Sequence, residues 1–166
     1  FHRKRGQVPL IAEDLGTVTP AVLKLRDDFA LPGMVLLQES FDRDDAPTVP
    51  HALPERSVVY TGTHDNDTTV GWWKKAGKAT RERLRAYGGD PGDSPHELLT
   101  RLAMTSGSNL AIVPMQDILG LGGKSRMNLP GKPSGNWRWR LEEGMLDIRV
   151  ARRMNRLAAV TGRLRT

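Results

Sequence analysis

The sequence predicts an α/β fold built on a parallel sheet, and three observations predict it. Four short, nearly continuous apolar runs read as strands buried on both faces. Segments with helical periodicity separate them, the arrangement of right-handed βαβ crossovers. Pro and Gly punctuate the joins. The order β-α-β-loop-β-α-α-β-loop-α makes four βα units, which is half of an eight-stranded barrel or an independent doubly wound domain. With 166 residues there is room for one ordinary domain, and residues 1–166 are read as one.

The first strand is V-P-L-I-A at 8–12, bounded by Gly6 and Gly16. Thr19-Pro20 opens a helix with Pro at its first position, and Val22, Leu25 and Phe29 form its apolar stripe. After Pro32-Gly33, the run M-V-L-L-Q at 34–38 is the second strand. Residues 42–57, with Pro47, Pro50 and Pro54, read as a surface loop. The third strand is S-V-V-Y-T at 57–61, and Asp67 or Thr68 can cap the helix that carries Lys74 to Arg85. Gly88-Gly89 and Pro91-Gly92 turn the chain into a helix opened by Ser94-Pro95, with Glu97 in reach of a capping box and an end near Ser106. L-A-I-V-P-M at 110–115 is the fourth strand, and 119–139 is too rich in Gly and Pro to be regular. The last element is a basic helix.

Composition removes several function classes. No stretch approaches the ~20 apolar residues of a membrane-spanning helix. With no Cys, the chain has neither a disulfide framework nor thiolate metal sites, which fits a reducing, cytoplasmic setting. Phe1 and the run His2-Arg3-Lys4-Arg5 lead into no apolar signal core, so no secretory signal is expected, and the coding sequence is expected to extend upstream. The net charge of +6 invites a nucleic-acid reading, but its distribution argues against one. Six Arg and no acidic residue lie in 149–166, leaving nineteen charges of each sign elsewhere. There Leu146, Val150, Met154, Leu157 and Ala158 recur at helical spacing, so the favoured reading is an amphipathic helix with a solvated basic face. A phosphate- or membrane-binding helix ranks second, because bulky aromatic anchors are missing. Neither nucleic acid nor membrane is expected as a partner.

Each strand is followed by polar residues: Glu13-Asp14, Gln38-Glu39, His64-Asp65-Asn66-Asp67 and Gln116-Asp117. In a parallel barrel the C-terminal strand ends converge on one face. Carboxylates crowded against apolar strands need a reason, since burying one uncompensated costs several kcal/mol. A carbohydrate site supplies one: a proton donor, a negative charge against an oxocarbenium ion, and acceptors for hydroxyls. Each cluster alone is more often a cap or a turn. Repetition at four strand ends is what points to a site. His64, Asp65 and Asp67 match no metal-binding spacing, and no metal or cofactor is expected.

The runs I-A-E-D-L-G at 11–16, Thr19-Pro20, L-P-G-M at 31–34, Y-T-G-T-H-D-N-D-T at 60–68, P-M-Q-D at 114–117, R-M-N-x-P-G at 126–131 and G-N-W-x-W-R at 135–140 together resemble the amylomaltases. These are the 4-α-glucanotransferases, or disproportionating enzymes, of glycoside hydrolase family 77. The resemblance covers almost the whole chain in order. It implies the C-terminal half of a (β/α)₈ TIM barrel, about strands 5 to 8, with a C-terminal helix. It implies transfer of an α-1,4-glucan segment to the 4-hydroxyl of another glucan or of glucose, with maltooligosaccharides as partners. By motif match Glu13 is the general acid/base, Asp65 the transition-state-stabilising carboxylate, His64 a ligand of a sugar hydroxyl, and Asn128 part of a loop lining the donor sugar. Glu13 then has to be protonated to donate, while Asp65 has to stay ionised.

One departure is large. The family's nucleophilic aspartate lies in an Arg-x-Asp-His segment upstream of the acid, and no Asp precedes Glu13 here. The chain is therefore read as a C-terminal fragment, inactive alone. A non-catalytic glucan-binding remnant is the second reading. A basic nucleic-acid binder is the third, and it leaves the polar strand ends unexplained.

Overall fold

The computed structural model describes residues 10–44 and 49–164. The basic run at 2–5, the start of the first predicted strand, Pro47 and Arg165 lie outside them. In chain order the elements are α1 (Pro20–Asp28), β1 (Gly33–Leu36), α2 (Leu37–Asp42), a 3₁₀ turn (Pro50–Ala52), β2 (Ser57–Tyr60), α3 (Thr69–Lys75), α4 (Lys78–Gly88), α5 (Pro95–Met104), β3 (Leu110–Ile112), α6 (Met115–Ile118), a 3₁₀ turn (Gly123–Ser125) and α7 (Ile148–Val160). The strands form a parallel sheet in the order β1-β2-β3, with Val35 beside Val59 and Val59 beside Ala111. That row points into the core, where Leu37, Phe41, Leu53, Trp72, Trp73, Leu84, Leu98, Leu99 and Leu102 pack from the helices.

Four differences from the sequence expectation have physical reasons. Residues 10–12 are not a strand; Ala12 only donates one bond to the Pro32 carbonyl, 2.9 Å, beside the start of β1. The run at 34–38 divides after Leu36, because Leu37 and Phe41 lie one helical turn apart and both enter the core as part of α2. The run at 110–115 stops at Ile112, because Pro114 caps α6. The helix predicted through Lys74 to Arg85 is two, broken at Ala76-Gly77. Arg81 spans that break, donating to the carbonyls of Ala76 (3.0 Å) and Trp73 (2.9 Å), with its guanidinium 5.0 Å from the Trp73 ring centroid. The cap of α3 is as expected: Thr68 accepts from the Gly71 amide at 3.1 Å. Ser94 makes no side-chain cap, so the capping box does not form.

The basic C-terminal helix α7 forms as predicted and has no buried residue. Two arginines of this C-terminal segment are nonetheless engaged within the molecule. Arg153 bonds Glu97 and the Ile118 carbonyl. Arg163, beyond the helix, donates to the carbonyls of Met104 (2.7 Å), Ser106 (3.1 Å), Ser108 (2.7 Å) and Asn109 (3.2 Å). The helix stripe of α1 is exposed, with Leu25 at 59%, and so is Leu110 of β3 at 52%. Among the described residues no helix is long and apolar enough to cross a membrane.

Candidate functional site

Beyond β2 the chain runs through a loop, 61–68, and its first residue, Thr61, and the residue that opens α3, Thr69, are fastened to one carboxylate. Asp117 of α6, 1% exposed, accepts from the Thr61 hydroxyl at 2.6 Å, the Thr69 amide at 2.7 Å and the Thr69 hydroxyl at 2.8 Å. Gln38, also buried, donates to the Asp67 carbonyl at 3.0 Å. Asp67 itself accepts from Lys75 at 2.5 Å and from the Thr68 amide at 2.9 Å. This packing demands glycine at 71, where a Cβ would sit 2.3 Å from the Asp67 carboxylate, and at 62, where one would sit 2.7 Å from Gln38. Three of the polar groups that the strand-end pattern assigned to a shared site, Gln38, Asp67 and Asp117, are thus supports for this loop.

The loop's middle is what reaches solvent. Asn66 ties it internally, its carbonyl oxygen accepting from the Thr63 amide and hydroxyl, both at 2.8 Å. His64 and Asp65 project outward, each side chain 49% exposed, with His64 Nε2 3.4 Å from Asp65 Oδ1. The segment after the 3₁₀ turn at Gly123–Ser125 crosses over them. Asn128 donates through its side-chain amide to Asp65 Oδ1 at 2.5 Å and through its backbone to the His64 carbonyl at 3.1 Å. Arg126 bonds the Asp65 carbonyl and, at 2.6 Å, the Asn128 carbonyl. The Trp137 ring closes the group, 5.0 Å from the His64 ring. Trp137 has φ +61°, a left-handed conformation that costs a non-glycine residue of order 1 kcal/mol, and its amide donates to the Met127 carbonyl at 2.7 Å. A cleft of about 140 Å³ opens here, lined by Gly62, His64, Asp67, Gln116, Met127 and Trp137.

Three of the four residues singled out in the sequence, His64, Asp65 and Asn128, are therefore in mutual contact. Glu13 comes from a separate segment, and among the described residues no hydrogen bond or ion pair joins it to them. Its neighbour Asp14 turns inward, accepting from Arg26 at 2.5 Å and the Met34 amide at 2.7 Å, which anchors the segment to β1 and leaves Glu13 exposed. Glu13 is close enough to the Tyr60 phenol, at the C-terminal end of β2, to act on its titration. Burial first, and then the Glu13 charge, push that phenol above its ordinary 10.0. Sequence reasoning assigned no role to Arg126, although it stands in the same three-residue motif as Asn128. Chemically the group offers an exposed carboxylate, fixed by a neutral amide and bordered by an imidazole and an indole. It can oppose developing positive charge and hold hydroxyls.

A family model described as 4-alpha-glucanotransferase, glycoside hydrolase family 77, matches residues 2–147. The chain is 47% identical to the 4-alpha-glucanotransferase of Thermus thermophilus, over 96% of this chain and 34% of that protein. It is 40% identical to the chloroplastic/amyloplastic 4-alpha-glucanotransferase of Solanum tuberosum, over 96% and 28% respectively. Among solved structures it is similar to the amylomaltase from Streptococcus agalactiae in complex with acarbose, with TM-score 0.92 and 28% identity over 99% of this chain and 34% of that one. The α/β fold and its parallel sheet are shared with that structure. The chain spans about a third of the length of the curated relatives it matches.

Two outcomes follow from the geometry. Asp117→Ala strands three buried donors and should lower stability by about 2–4 kcal/mol, read from the denaturation midpoint; an unchanged midpoint would show that the loop is not fastened there. Glu13→Gln removes one of the two causes acting on Tyr60. Its phenol should then titrate lower than in the wild type, though still above 10.0, by NMR of the ring. An unmoved titration would separate Glu13 from the end of β2.

Proposed function

The chain belongs to the 4-alpha-glucanotransferase family, glycoside hydrolase family 77, and on that premise we propose that it is part of an enzyme that moves an α-1,4-glucan segment to the 4-hydroxyl of another glucan or of glucose. The observation that carries this reading is the Asp65 carboxylate, exposed beyond β2 and held by Asn128 beside His64. In this reading Glu13 protonates the glycosidic oxygen as the bond to the anomeric carbon breaks. A carboxylate nucleophile forms the new bond to that carbon, about 5–5.5 Å from the acid. Glu13 then takes the proton of the acceptor hydroxyl, which displaces the nucleophile. Asp65 stays ionised and opposes the positive charge that develops at the anomeric carbon. His64 holds a sugar hydroxyl, and Asn128 lines the donor sugar while fixing Asp65.

The chain spans about a third of its relatives' length, and in this reading the nucleophile belongs to another part of the enzyme. The sheet is read as strands from the second half of a (β/α)₈ barrel. The exposed Leu25 of α1 and Leu110 of β3 support that reading, as apolar surface placed where further barrel elements would pack. The whole of residues 1–166 is then one partial barrel domain. Maltooligosaccharides and glucose are the partners, and the setting is cytoplasmic, in keeping with a chain that has no cysteine.

In the complete enzyme, Glu13→Gln should reduce glucose release from maltotriose by about 10²–10⁴-fold. Asp65→Asn should reduce it by about 10²–10³-fold. The isolated 166-residue chain should release none. Near-normal turnover in either variant would remove that residue from the chemistry, and turnover by the chain alone would overturn the external nucleophile.

A further inference from the structure

Glu13 is exposed, yet the residues on either side of it are both fastened. The Ala12 amide donates to the Pro32 carbonyl at 2.9 Å, and the Asp14 carboxylate accepts from the Met34 amide at 2.7 Å. In a parallel ladder the residue that bonds Pro32 would also take the Met34 amide on its own carbonyl. Here a side chain two residues further on takes it, so the bonded stretch reaches across Glu13 without forming a strand. The general acid/base of the proposed reaction thus stands between two attachments to the start of β1.

The second attachment depends on Arg26 of α1. Its Nη1 meets Asp14 Oδ2 at 2.5 Å, and the Asp14 side chain is only 7% exposed. Its Nε and Nη2 both donate to Asp27 Oδ1, at 2.9 and 2.8 Å, which fixes the plane of the guanidinium. Without the Arg26 charge, Asp14 would be a carboxylate turned inward with its balancing cation gone, a costly state that favours swinging outward. Swinging outward releases the Met34 amide and frees the peptide that joins Asp14 to Glu13. Gly33 completes the packing, since a Cβ there would lie 2.5 Å from Asp14 Oδ2 and 2.8 Å from Arg26 Nη1.

We propose that Asp14 and Arg26 are positioning residues for the proposed transfer: the chain of bonds from Arg26 through Asp14 to Met34 sets where the Glu13 carboxyl stands against the glycosidic oxygen. The inference rests on the reading of Glu13 as the general acid/base. Proton transfer needs heavy atoms within about 2.6–3.2 Å of each other, so loosening this clamp costs rate while leaving the groups around Asp65 untouched.

The test uses the complete enzyme and two donors that lead to the same maltosyl-enzyme. Maltotriose expels glucose, whose oxygen has to be protonated as the bond to the anomeric carbon breaks. α-Maltosyl fluoride forms the same bond from nucleophile to anomeric carbon, and its C–F electron pair leaves as fluoride ion with no proton required. The first turnover of each donor is timed. Arg26→Ala should slow glucose release by about 10²-fold and leave fluoride release nearly unchanged. Asp14→Asn should act in the same direction. Arg26→Lys, which restores the charge without the planar fork, should fall between Arg26→Ala and the wild type. Both rates scale with the folded fraction, so their ratio is indifferent to a variant that folds poorly, and if Arg26→Ala gives no folded enzyme the other two variants carry the same ratio. Equal losses on the two donors would reduce the clamp to a structural support and overturn the proposal, as would unchanged turnover of maltotriose. Glu13→Gln should show the same selective loss. If it slows both donors alike, the acid reading and this proposal fall together; if it is selective and the Asp14 and Arg26 variants are not, only this proposal falls.

Discussion

The structure depends on one buried carboxylate. Asp117 takes three short hydrogen bonds from Thr61, which begins the loop beyond β2, and from Thr69, which opens α3 after it. A buried carboxylate in that position is tolerable because three donors satisfy its oxygens. Pinning the two sides of this eight-residue loop restricts its freedom before any ligand arrives. His64 and Asp65 sit at its centre, so their positions follow from a group that is almost wholly buried.

That arrangement separates two tasks that polar residues perform at strand ends. Gln38, Asp67 and Asp117 hold backbone, and Gln38 and Asp67 press close against Gly62 and Gly71. Asp65 faces outward, and its own restraint comes from a different direction, through Asn128 and Arg126 on the crossing segment. The side-chain partner that fixes Asp65 by a hydrogen bond is thus a neutral amide. Pre-positioning of this kind is what electrostatic stabilisation of a transition state requires.

The sheet was legible where apolar runs had hard stops. The run read as a strand at 57–61 falls between Pro54 and Gly62 and forms β2 over Ser57–Tyr60, one residue shorter. The runs at 34–38 and 110–115 overran, because periodicity cannot separate the last residue of a buried strand from the first of a buried helix. Leu37 is as apolar as Leu36, yet one ends β1 and the other begins α2. At the site, polar groups after each strand were a real signal, but of two kinds that composition cannot tell apart. Which of Glu13 and Asp14 turns inward is decided by Arg26, twelve residues on. The meeting of Asp65 with Asn128, sixty-three positions apart, was available only through the family resemblance and not from spacing.

Arg163 gives the basic C-terminal stretch a different meaning from the one its charge suggests. Its planar fork reaches four carbonyls where α5 ends and β3 begins, so the guanidinium works as a clasp joining the last helix to the sheet. A lysine would keep the charge but lacks the flat, five-donor shape. The demand at that position is thus one of geometry, and part of the basic C-terminal segment serves to close the fold on itself.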